Sequence, residues 1–86
     1  MQFEGAVIRE QGVTFAIVIV KSHVLNSISE INNARSAFRQ FFPSVPIILM
    51  AQDHRGIPTY QGRRDIVEFL SHINPSRIPW KRYSAN

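Results

Sequence analysis

Val13-Thr14-Phe15-Ala16-Ile17-Val18-Ile19-Val20-Lys21 is the stretch that decides the fold of this chain. Its β-branched and aromatic residues suit a pleated strand better than a helix, because two heavy atoms on Cβ crowd χ1 against a helical turn. Side chains alternate across a strand, so Phe15, Ile17 and Ile19 face one way and Ala16, Val18 and Val20 the other. Both faces are apolar. That predicts a central strand covered on both sides, either by its own chain or on one side by a second copy. The run ends at Lys21, far short of the roughly 20 residues that cross a bilayer as a helix.

Upstream, Phe3 to Arg9 alternates partially, and Glu10, Gln11 and Gly12 supply a turn, so the two runs predict a hairpin. Downstream, Ser27 and Glu30 have the spacing of a capping box, which starts a helix. Ile28, Ile31, Ala34, Phe38, Phe41 and Phe42 recur at spacings of three and four and predict its core face. Ser29, Asn32, Asn33, Ser36, Arg39 and Gln40 fall on the other face. Pro43 stops this helix, and Val45 to Ala51 reads as the next strand. The polar turn Gln52 to Gly56 returns the chain into a short strand, Ile57 to Tyr60, which Pro58 places at a sheet edge.

A second helix is predicted from about Arg63 to Ile73, burying Ile66, Val67, Phe69, Leu70 and Ile73, with its end set by Asn74 before Pro75. The order over residues 1–75 is therefore β-β-α-β-β-α. It points to an α/β domain of the α+β two-layer kind, a four-stranded mixed sheet with both helices packed on one face. The other sheet face would be partly apolar and open, which predicts a homodimer through the sheet. Residues 76–86 read as a basic and aromatic tail, with Ile78 and Trp80 folded back onto the core and Lys81 to Asn86 frayed.

One local resemblance concerns the last part of this order. Val45-Pro46-Ile47-Ile48-Leu49-Met50, a turn ending at Gly56, a short strand, Gly62 and a helix ending Val67-Glu68-Phe69-Leu70 resemble the closing β-β-α unit of thioredoxin-like proteins. The resemblance implies a cis peptide before Pro46. It implies no thiol chemistry, because the CxxC motif of that family is absent.

Composition narrows the function further. The 86 residues include no cysteine, which removes disulfides, thiolate nucleophiles and Cys-ligated zinc and is in keeping with a reducing cytoplasm. Glu4, Arg9 and Glu10 interrupt any secretory pattern at the N-terminus. His23, His54 and His72 are far apart, and none stands three or four residues before a second ligand, so no metal site is predicted. The glycines at 5, 12, 56 and 62 are too scattered for a phosphate loop, and no GxSxG turn occurs. His54 beside Asp53 reads as turn geometry rather than general acid/base machinery. A non-enzymatic protein without cofactor, metal or membrane span is the expectation.

Ten Lys and Arg against six Asp and Glu give a formal charge of +4, which draws the protein to polyanions at low salt. Two basic groups carry the binding candidates. Arg63 and Arg64 precede the second helix, with Arg55 in a neighbouring turn, where guanidinium forks and helix N–H groups could converge on an anion. The plainer reading is that they are solvated, with Arg64 and Glu68 paired at i and i+4. Trp80, Lys81 and Arg82 interleave aromatic and basic character as single-strand-binding surfaces do. The leading expectation is a macromolecular interaction module that contacts a protein partner or itself; the alternative is a nucleic-acid or phosphate-binding module using these six residues.

Overall fold

The computed structural model describes residues 1–84. Its elements follow in the order β1 (Gln2–Glu10), β2 (Val13–Ile19), α1 (Ile28–Phe38), β3 (Ile47–Gln52), β4 (Pro58–Gln61), α2 (Arg64–Leu70) and β5 (Lys81–Ser84), with short 3-10 turns at Ser22–Asn26 and Pro75–Arg77. β1 and β2 form the expected hairpin, with Glu10 opposite Val13. The two loop residues, Gln11 and Gly12, have φ of 51° and 79°. Positive φ at both central positions is the requirement of a type I′ turn, whose twist matches that of the strands it joins.

From β2 the chain crosses through α1 into β3, which runs parallel to β2; a parallel neighbour needs such a crossover. Ser27 Oγ accepts from the Glu30 N–H at 3.4 Å and caps α1. The Glu30 carboxylate turns to His23, Oε1 to Nδ1 3.2 Å, so half of the capping box forms. β4 returns antiparallel to β3, and α2 follows. This β-β-α unit forms as the resemblance implies, but the peptide before Pro46 is trans, like every other described peptide.

Two features of the expected architecture are corrected. The sheet has five strands, in the order β4-β3-β2-β1-β5. The fifth is Lys81–Ser84, antiparallel to β1, in a segment expected to fray; residues 85–86 of that tail lie outside the described residues. Its anchor is Tyr83, whose ring stacks on Phe3 with centroids 5.0 Å apart and planes 7° from parallel.

The second correction concerns the layers, because the helices lie on opposite faces of the sheet rather than on one. Phe38 of α1 shares a core with Phe3, Ala16, Val18, Ile47 and Leu49. Ile66 and Leu70 of α2 share the other with Ala6, Phe15, Ile17, Ile48 and Met50. The alternation read in β2 is therefore correct, and both of its faces are covered by its own chain. To reach β5 from β4 the chain must pass from one sheet edge to the other, and α2 makes that passage over the face expected to be open. The face on which a second copy was expected to dock is occupied.

Ile28, expected in the core, is 79% exposed. It stands in the first turn of α1, ahead of the part of the helix that packs on the sheet. Tyr60, on β4, packs against the α2 side of the core, and its hydroxyl is buried without a hydrogen-bond partner among the described residues. Burial also pushes its phenol above the usual tyrosine value. An unsatisfied buried hydroxyl costs about 1–3 kcal/mol. Tyr60→Phe is accordingly expected to leave stability unchanged or raise it by about 1 kcal/mol in urea melts, and a loss of that size would reveal a bond that the hydroxyl makes in solution.

Candidate functional site

The six candidate residues divide between the two ends of the sheet. Arg55 sits in the β3–β4 turn, held by Asp53 Oδ1, which accepts from the Arg55 N–H at 2.8 Å and the Ile57 N–H at 2.9 Å. Trp80 comes to the same end from far along the chain. Its indole Nε1 donates to the Pro75 carbonyl at 3.0 Å, and the half-buried ring lines a groove of about 270 Å³ with Gln52, Gly56, Asn74, Pro75 and Ser76. Gly56 is the neighbour of Arg55. On β5, Arg82 lies 3.6 Å from Glu4, and Lys81 Nζ is 5.9 Å from the Tyr83 ring centroid.

Arg63 and Arg64 lie beyond the other end of β4, whose four residues span about 13 Å at strand rise. Of the two arginines of the anion site expected there, Arg63 already has a carboxylate. Arg63 holds the N-cap position of α2, a helix of only 7 residues. Its fork closes on Asp65, with Nε to Oδ1 2.8 Å and Nη2 to Oδ2 2.9 Å. The expected Arg64–Glu68 pair is replaced, since Glu68 Oε1 meets His72 Nε2 at 3.2 Å. Both pairs are solvated, and such pairs contribute little.

The bond from Arg63 is the main cause that holds the Asp65 carboxyl below the usual carboxylate range, with the Arg63 charge and backbone N–H groups adding to it. A depressed carboxyl pKa stabilises the folded state above the unfolded value of roughly 4 and stops doing so as pH falls through the folded value. Arg63→Ala should move the Asp65 titration upward, read by carboxyl-carbon NMR, and should flatten the acid limb of stability that this residue contributes. An unchanged Asp65 titration would show that the pair does not persist in solution.

Arg35 is a further candidate that the sequence reading does not include. On the shoulder of α1's apolar stripe, this half-buried arginine donates from Nε to the Ile47 carbonyl and from Nη2 to the Gln61 carbonyl, each at 3.1 Å. A second bond runs from Nη2 to the Gln61 side-chain oxygen. One turn further on, Arg39 Nη1 donates to the carbonyls of Val45 at 2.7 Å and Phe42 at 3.4 Å. Both arginines thus tie the end of α1 to the start of β3, and Arg35 reaches β4 immediately before Gly62 and Arg63.

Among the described residues, neither Arg35 nor Arg39 has a carboxylate partner. Burial, and then the Arg39 charge, pull the Arg35 guanidinium below the usual arginine value, although it stays charged at neutral pH. Asn32 and Ser36 complete a groove of about 360 Å³ with the two arginines. A signal for this cluster exists in the sequence: Arg35 has Ile31, Asn32, Phe38 and Arg39 at its helical neighbour positions, so no acid is in reach along the helix.

His54 is exposed in its turn, and no three described His, Asp or Glu residues come together as metal ligands. No described helix is long and apolar enough to cross a membrane. No family model matches the chain, and no curated protein or solved structure matches it either, so the arginine-lined surface is interpreted from its own chemistry.

Proposed function

We propose that the protein is a non-enzymatic module that binds single-stranded nucleic acid. The observation that supports this reading best is the Arg35–Arg39 pair, two guanidinium groups one helical turn apart with no described carboxylate to answer them. Placing like charges together, one of them half-buried, is unfavourable, and an anion beside them would relieve the repulsion that their carbonyl acceptors only partly offset. Exposed cations at both ends of the sheet suit a long polyanion better than a single small anion, and Trp80 offers a ring in the groove that Gly56, the neighbour of Arg55, also lines. A protein partner docking on the sheet is the weaker reading, because α2 lies over the face that motivated it.

The test is a backbone amide NMR titration with mixed-sequence single-stranded RNA and DNA of about 12 nucleotides, at low and near-physiological salt. Shifts confined to Asn32–Arg39, Arg55–Gly56, Gly62–Asp65 and Trp80–Arg82, and retained at the higher salt, are the expected result. Diffuse shifts that vanish with salt would reduce the charge to background and overturn the proposal.

A further inference from the structure

Within that reading, on which this inference rests, we infer that Asn32, Arg35, Ser36 and Arg39 form a phosphate subsite that holds one backbone phosphate of the bound strand. The Arg35 guanidinium is held through two of its nitrogens and that of Arg39 through one. Nε and Nη2 of Arg35 are committed to Ile47 and Gln61, and Nη1 of Arg39 to Val45 and Phe42. Nη1 of Arg35 and Nε and Nη2 of Arg39 have no partner among the described residues. These are the donors left for a ligand, and both side chains line the same groove.

Fixing the forks in advance removes most of the rotamer entropy that a surface arginine loses when it binds. The donor set suits phosphate better than carboxylate. A carboxylate is planar and is satisfied by one fork, whereas a tetrahedral phosphate accepts from several directions, here from two guanidinium groups, the Ser36 hydroxyl and the Asn32 amide. Arg63 adds nothing to this set, because its fork is closed on Asp65.

The test measures binding of a 12-nucleotide single-stranded RNA across a range of salt concentrations for the wild-type chain, Arg39→Gln, the double variant Asn32→Ala with Ser36→Ala, and Arg82→Gln at the far edge. Thermal melts check that each variant folds. Losing one phosphate contact lowers the slope of log K against log salt by about 0.7, which corresponds to roughly fivefold weaker binding at 0.1 M salt than the unaltered chain shows. That change is expected for Arg39→Gln. The double variant should weaken binding with little change of slope, because it removes neutral donors.

Wild-type-like binding and slope in Arg39→Gln, with Arg82→Gln impaired, would overturn the subsite while leaving nucleic-acid binding in place. Absence of RNA binding by the wild-type chain would overturn both. A titration with inorganic phosphate alone separates the sources: amide shifts at Asn32–Arg39 without any RNA binding would assign the groove to free phosphate and overturn its assignment to a strand.

Discussion

Phe3→Ala is expected to destabilise the protein by about 3–5 kcal/mol, the range for truncating a core phenylalanine. A domain of this size has only about 4–13 kcal/mol in total, so the variant loses a large share of its stability. The ring is 8% exposed and meets four others. Its centroid lies 4.8 Å from those of Phe38 and Phe41, 6.2 Å from Phe42 and 5.0 Å from Tyr83. Removing it leaves a cavity where α1, β1 and β5 meet, and takes from β5 the ring on which its half-buried side chain stacks. Urea denaturation should show a lower midpoint, and amide exchange should speed up most over residues 81–84. A loss below about 1 kcal/mol would mean that the aromatic cluster collapses into the space, and would refute its role as the clamp of the fifth strand.

Gly5→Ala should also destabilise, by about 1–3 kcal/mol, through overpacking rather than a cavity. An added Cβ would lie 2.8 Å from the Ile17 carbonyl oxygen. That oxygen belongs to the backbone of β2, which is hydrogen-bonded between β1 and β3 and cannot retreat without disturbing both ladders. Elsewhere in a strand the exchange of glycine for alanine normally helps by about 0.4–1 kcal/mol, because the unfolded chain loses freedom. The sign of the change in melting temperature therefore decides the matter. A rise would show that the strands separate easily at this point.

The β2 run made the centre of the fold legible, because alternation of two apolar sets along one strand has few physical solutions. Of the two solutions, the chain uses the intramolecular one, and periodicity alone cannot tell α2 from a second copy. The fifth strand was hidden for a different reason. Lys81-Arg82-Tyr83-Ser84 buries little and is held by its pairing with β1 and by the Phe3 ring, contacts between residues far apart in the sequence that no local pattern encodes. The site was legible only in part. Arg63 and Arg64 stand out by position, yet Asp65, two residues on, already closes one of those forks. Arg35 was masked because an arginine beside an apolar stripe reads as a solvated flank until its carbonyl partners, contributed by β3 and β4, are known.

Pairing of Gln2 with Ser84 also bears on how the chain is made. β1 is an interior strand in the finished sheet, but during synthesis one of its two edges has no partner until β5, which follows the other four strands in the chain, has been made. Throughout that interval Phe3 and an unpaired row of backbone groups are presented together, a combination that favours strand-to-strand association between nascent chains. Lys81 and Arg82 then arrive as the closing edge, and their charge makes the completed sheet a poor template for further strands. The fifth strand thus acts as a stopper.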